Sequence, residues 1–193
     1  DLAIDFLLYG ALAEIFAKNT GFHKGLGGSM HAFFLPFGIY PNNAIVGGSA
    51  DISVGAALYK KINSKNGIVI CNIGDGSMAC GPVWEGLMMA TMDQYNNLWE
   101  GDMKGGLPLL VNVMNNQYAM GTAITRSASE THLHKRGVSF NIPGEEVDGM
   151  DVVAVREAGK KALSRARKGD GPTLLEMKTY RYRGHSMSDP AKY

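Results

Sequence analysis

The sequence predicts a right-handed parallel α/β sheet, and three observations carry that reading. Continuous apolar, β-branched runs stand at residues 68–73, 109–114 and 173–177, as expected of strands buried in a parallel sheet. Segments of helical periodicity separate them. Each run breaks into a polar or glycine-rich stretch: GDGS at 74–77, NNQY at 115–118 and YRYRGHSMSDP at 180–190. Parallel topology brings these stretches together at the carboxyl edge, where such sheets bind ligands.

The elements follow in order. Leu2, Ile4, Leu8, Leu12, Ile15 and Phe16 recur at near-helical spacing and end at Asn19-Thr20-Gly21, so residues 1–18 read as a helix. A loop with glycines at 21, 25, 27, 28 and 38 follows, carrying His23 and His31. Residues 45–61 read as a short apolar entry and a small-residue helix whose Gly47, Gly48 and Gly55 allow close approach of backbone or ligand. After the first strand comes a helix through Trp84, Leu87, Met88 and Met92. Residues 151–168 form an amphipathic helix capped by Asp151 and ended by Gly169.

Composition bounds the function. At 193 residues the chain is about one domain, read here as one domain over 1–193 with both ends cut, because it opens in a helical pattern and stops after SDPAKY. Lys+Arg 19 against Asp+Glu 18 gives +1, which offers no field for nucleic acid or an anionic membrane. No apolar run approaches the ~18 residues of a membrane span. Cys71 and Cys80 make neither a disulfide framework nor a zinc signature, which points to a reducing compartment. Glycine is the anomaly: 25 of 193 residues, about twice the usual share.

Taken alone, GDGS is ordinary turn chemistry. Gly74-x-Gly76-x-x-Ala79 also fits a dinucleotide fingerprint, but a carboxylate at Asp75 would repel a pyrophosphate unless a cation lay between them. The third reading supplies that cation: Asp75 holds Mg2+, Mg2+ holds a diphosphate, and the Gly76 and Ser77 N–H groups complete the anion site. The Asn116 side-chain oxygen and the Tyr118 carbonyl would extend the set of hard oxygen donors. Taken alone, NNQY is also a polar turn.

GDGS followed by NNQYAMGT resembles the thiamine diphosphate motif. KGLGGSMH at 24–31, VDGMDVVAVREA at 147–158 and TYRYRGHSMSDP at 179–190 are similar to the alpha subunit of the decarboxylating dehydrogenase component of 2-oxo acid complexes, pyruvate dehydrogenase type. The resemblance covers nearly the whole chain. It implies a doubly wound α/β sheet of the thiamine diphosphate-binding fold, with Asp75, Asn116 and the Tyr118 carbonyl on Mg2+ and Gly76 and Ser77 on the diphosphate. It places His185, the catalytic candidate, and Arg181 on a loop closing over the diphosphate; alone, His185 could equally be an exposed loop histidine. Ala44 and Val46 would meet the aminopyrimidine through their backbone. Val46 would also press the cofactor into its bent shape, a core valine being the alternative.

The same resemblance implies decarboxylation of a 2-oxo acid, most simply pyruvate, with acyl transfer to the lipoyl groups of a partner acyltransferase. It implies a beta subunit that completes the site in an alpha2beta2 assembly. Branched-chain 2-oxo acid and acetoin dehydrogenases are alternatives. The expected location is the cytoplasm for a bacterial chain and the mitochondrial matrix for a eukaryotic one. Ser186 aligns with a serine that some members phosphorylate.

There are departures. Residues 93–106 read as an insertion forming a surface loop that leaves Asp75 and Asn116 together. His132 and His134 read as a solvated loop pair, since no third nitrogen or sulfur ligand accompanies them. Two rivals stay open: a nicotinamide-dependent oxidoreductase, with Asp93 near the distance of a ribose-binding acid, and a non-catalytic assembly subunit.

Overall fold

The computed structural model describes residues 1–190 and 192. They divide into two compact units, Asp1–Ile45 and Val46–Tyr193.

In the first unit, Asp1 accepts the Ala3 N–H at 3.1 Å and starts α1, Leu2–Ile15. Near the end of α1, Glu14 is fully buried, and its carboxylate accepts the N–H groups of His23, Gly25 and Gly27 at 2.7, 3.0 and 2.6 Å. One side chain therefore shapes the glycine-rich loop from inside. Burial pushes its pKa up, but the three backbone hydrogen bonds and the charge of His23 outweigh burial and leave it below the ordinary carboxylate value.

The second unit is the expected parallel sheet. Its helices are α2 (Ser49–Ile62), α3 (Gly81–Ala90), the short α4 (Gln94–Asn97) and α5 (Ile124–Ser127), and α6 (Val152–Arg167). Four strands, β1 (Val69–Gly74), β2 (Leu109–Asn115), β5 (Gly144–Asp148) and β6 (Thr173–Lys178), pair in parallel in the order β1-β2-β6-β5. A separate hairpin pairs β3 (Tyr118–Ala119) with β4 (Thr122–Ala123). Two cores lie on the two faces of the sheet. On one, Cys71, Ile73, Val111 and Val113 pack with Val54 of α2 and Leu87 of α3; on the other, Leu110, Leu175 and Val147 pack with Ala158 and Ala162 of α6. Asp151 caps α6 through the N–H groups of Val153 and Ala154 at 2.8 and 3.3 Å.

Three expectations change. The first strand is buried on one face only, since Ile70 on its other face is 52% exposed; a run of β-branched residues does not say how many faces are covered. The fourth strand, β5, was not expected, because GEEVD buries only Val147. The 93–106 segment is also more than a surface loop. Tyr95 is buried and donates its hydroxyl to Met89 O at 2.9 Å, while the Tyr95 carbonyl accepts the Gly105 N–H at 3.0 Å. An aromatic anchor thus folds the segment back on itself.

Candidate functional site at the carboxyl edge

Register assembles the site. Gly74 pairs with Met114 and Asn115 with Lys178, so β1, β2 and β6 end side by side and release Asp75, Asn116 and Thr179 at one edge. Past β1 the chain makes a 3-10 turn over Asp75–Ala79, followed by extended Cys80, before α3 starts at Gly81. The expected helix start at Gly76 and Ser77 is thus a short 3-10 turn. That geometry also lacks the tight glycine turn running directly into a helix that a dinucleotide fingerprint requires. Asp93, the ribose-binding candidate, precedes α4 and ends no strand. Both observations weigh against the nicotinamide reading.

Asp75 is 8% exposed. Burial raises its pKa above the usual carboxylate value; the N–H groups of Asp75, Gly76 and Asn116 and the charge of Arg181 lower it without cancelling the rise. A carboxylate held ionised here is therefore one for which a hard cation would be a stabilising partner.

The next segment carries consecutive Asx turns. Asn115 Oδ1 accepts the Gln117 N–H at 2.9 Å and Asn116 Oδ1 accepts the Tyr118 N–H at 3.1 Å. Gln117 and Met120 take left-handed backbone conformations, with φ of 71° and 54°, and the β3–β4 hairpin folds over the 75–79 turn. A Cβ at Gly76 would stand 2.7 Å from the Ala119 Cβ, so glycine at 76 is what permits this approach. The turn is held from beneath: Trp84 Nε1 and Arg136 Nη1 donate to Met78 O at 3.1 and 2.8 Å.

Arg181 joins the third strand end to this hairpin. Its Nη1 donates to Tyr118 O at 3.2 Å and Met120 O at 2.5 Å, Nη2 lies 3.6 Å from Asp189 Oδ2, and the guanidinium sits 5.8 Å from the centre of the Tyr118 ring. Asp189 Oδ2 also accepts the His185 N–H at 2.6 Å, which fixes the backbone of 185 while its side chain stays exposed. Residues 116–118 and 179–183 line a cavity of about 400 Å3.

The structure therefore groups Asp75, Gly76, Asn116, Tyr118 and Arg181, with Ser77 in the same turn. Val46 is 62% exposed, which excludes the core-valine alternative. The neighbouring Gly47, at φ 87°, would place a Cβ 3.0 Å from both Cys80 and Val83, so the backbone here approaches the start of α3 closely. Ala44 is exposed and belongs to the first unit.

Sequence reasoning missed the support beneath the site. Asn115 Nδ2 donates to Glu176 Oε1 at 2.6 Å, and Glu176 Oε2 accepts both the His134 N–H at 2.9 Å and a bond from His134 Nδ1 at 2.8 Å. Lys178 Nζ lies 2.8 Å from Glu176 Oε1. The signal was a charged residue interrupting the apolar run TLLEM, since buried carboxylates occur when they are paired. His134 is consequently only 19% exposed in its side chain, and its reading as a solvated loop residue is corrected. Leu133, buried in the core, draws the loop down onto the sheet.

Comparison with known proteins gives the lineage. Residues 5–193 match the family described as Dehydrogenase E1 component. The chain is 42% identical over 192 residues, covering 100% of itself and 52% of the relative, to the pyruvate dehydrogenase E1 component subunit alpha of Rhizobium meliloti (strain 1021). It is 43% identical over 182 residues to the subunit of the same name from Rickettsia felis, covering 94% of the chain and 52% of that relative. Over 186 residues it is 42% identical to the Porphyra purpurea subunit, covering 93% of the chain and 51% of the relative. The chain thus spans about half the length of the curated relatives it matches, and it belongs to the dehydrogenase E1 component family.

Proposed function

We propose that the chain is the thiamine diphosphate-binding part of an E1 alpha subunit that decarboxylates a 2-oxo acid, pyruvate in the simplest reading. The observation that carries this is Asp75: a buried carboxylate with a raised pKa, at the meeting of three strand ends, that accepts the Asn116 N–H, with the Asn116 side-chain oxygen and the Tyr118 carbonyl carried in the turn that follows. That donor set fits Mg2+. It is all oxygen, it brings one formal negative charge, and the Asn116 oxygen keeps a second lone pair beyond its Asx turn.

In this reading Asp75, Asn116 Oδ1 and Tyr118 O hold Mg2+, while the Gly76 and Ser77 N–H groups, Arg181 and His185 serve the diphosphate. The cofactor, when bound, supplies the electron sink for decarboxylation. The protein supplies position and charge. Tyr118 O now accepts a bond from Arg181, and a cation on that oxygen repels the guanidinium and favours its turning toward an anion. Exposed Val46 is available to press on the cofactor, and Ala44 to meet the aminopyrimidine. Ser186 Oγ lies 3.0 Å from Ser188 Oγ in the same segment as His185; a phosphate added there would repel the diphosphate.

The relatives' name, pyruvate dehydrogenase E1 component subunit alpha, supports a complex with a beta subunit that completes the site and an acyltransferase whose lipoyl groups take the acyl product. Acetoin and branched-chain 2-oxo acids are the alternative substrates. No helix among the described residues is long and apolar enough to cross a membrane, and we place the protein in the cytoplasm of a bacterium or the mitochondrial matrix of a eukaryote. Calorimetric titration of the full-length alpha/beta assembly with thiamine diphosphate, with and without Mg2+, tests the reading. Binding should require Mg2+, and binding without it would refute the metal bridge. Assays with pyruvate, branched-chain 2-oxo acids and acetoin then assign the substrate.

A further inference from the structure

We propose a second metal site, formed by His132, His134 and Glu146, that takes one divalent ion of the zinc class and shares no ligand with the cofactor site. One donor atom from each of the three side chains lies within 4.8 Å of the others. The fold builds this arrangement. Leu133 is 1% exposed and plugs the core, so the flanking histidines are carried to the sheet edge, their ring centres 5.9 Å apart at 72°. There β5, the last strand of the sheet, presents Glu146, whose Oε2 is 2.9 Å from His132 Nδ1 and 4.0 Å from His134 Nδ1.

The donor chemistry differs from that at Asp75. Two imidazoles and one carboxylate form the mixed nitrogen and oxygen set of a three-ligand zinc site, with room for water in the remaining position. The structure also provides the outer support such sites use. Fully buried Glu176 accepts from His134 Nδ1 at 2.8 Å and from the His134 N–H at 2.9 Å, which orients the imidazole. Charge agrees with this. Glu146 and Glu176 bring two negative charges against the single ammonium of Lys178, which lies 2.8 Å from Glu176 and 3.6 Å from Glu146. A divalent ion meets these carboxylates by displacing the longer Lys178 contact. Bound there, the ion ties the 3-10 segment Leu133–Phe140 to the edge strand.

The test is calorimetric titration of the metal-stripped, full-length assembly with Zn2+ in saturating Mg2+. One Zn2+ per chain should bind with a Kd of about 1 μM or tighter. His132→Ala and Glu146→Gln, both at exposed side chains, should each weaken binding by at least about tenfold and leave the melting temperature and Mg2+-dependent thiamine diphosphate binding unchanged. Co2+ loaded in place of Zn2+ should give a visible absorption band that His132→Ala abolishes. No saturable Zn2+ binding, binding retained by both variants, or Zn2+ displaced by Mg2+ would each overturn the proposal. None of these outcomes depends on the cofactor reading.

Discussion

Asn115 and Glu176, on neighbouring strands and both with no solvent exposure, share a hydrogen bond of 2.6 Å. Asn115 then turns the chain through its own Oδ1 to Gln117 N, so the shape of the NNQY segment rests on a buried carboxylate. Glu176→Gln removes the charge that meets Lys178 and His134, and leaving donors without that buried acceptor charge costs about 1–3 kcal/mol. Thermal denaturation of the assembly should show a clear drop in melting temperature, with weaker Mg2+-dependent cofactor binding. An unchanged melting temperature would mean that the pair carries no stability.

The same residue sets an acid limit. Burial alone would raise the Glu176 pKa, but bonds from Lys178, the His134 backbone, Asn115 and the His134 ring hold it at about 2, against an ordinary value of 4.5. Because the folded pKa is depressed, the stabilisation is fully present above the unfolded value and is lost as pH falls from 4.5 toward about 2. It amounts to something on the order of 3 kcal/mol. Melting temperature followed from pH 6 downward should fall steeply in the wild type and less steeply in Glu176→Gln.

Gly76→Ala tests the hairpin. The added methyl would stand 2.7 Å from the Ala119 Cβ, so β3 must move away, at a cost of about 1–3 kcal/mol. Mg2+-dependent binding of thiamine diphosphate should weaken as Tyr118 O moves with it. Unchanged affinity would show that the contact between turn and hairpin does not set the site.

Glu14→Gln tests the loop of the first unit. The neutral amide keeps one acceptor oxygen, enough for the His23 and Gly25 N–H groups that share Oε2, sets an NH2 group against the Gly27 N–H, and loses the charge that strengthens all three. Amide hydrogen exchange at His23, Gly25 and Gly27 should accelerate in the variant while exchange in β2 and β6 stays unchanged. Equal protection in both proteins would contradict the role given to Glu14.

The sheet was legible because β2 and β6 are covered on both faces and read as largely apolar runs, and the α6 cap was legible in Asp151. The edge strand β5 was not, since only Val147 of its five residues is buried. The β3–β4 hairpin depends on left-handed Gln117 and Met120, residues that carry no turn signature. Among the site residues, Asp75 and Asn116 stood out because their chemistry is local to a strand end. Arg181 did so only in part: its side chain is fixed by the Tyr118 and Met120 carbonyls, 61 or more positions away in sequence. The site's support was hidden for the same reason, since Asn115, His134 and Glu176 meet only through the fold.

The central claim is that Asp75 is a buried charge kept for a cation. Since burial raises its pKa, the ionised carboxylate works against the metal-free fold, at a cost that grows as pH rises from the ordinary value of 3.8 and is complete above the folded pKa. Asp75→Asn removes that charge and keeps the side-chain shape. The decisive measurement sets the melting temperature of the metal-free assembly beside calorimetric titration of Mg2+ and thiamine diphosphate, for wild type and Asp75→Asn. The account predicts a melting temperature unchanged or raised in the variant, together with loss of Mg2+-dependent cofactor binding. A variant that melts lower yet binds Mg2+ and thiamine diphosphate as the wild type does would contradict it.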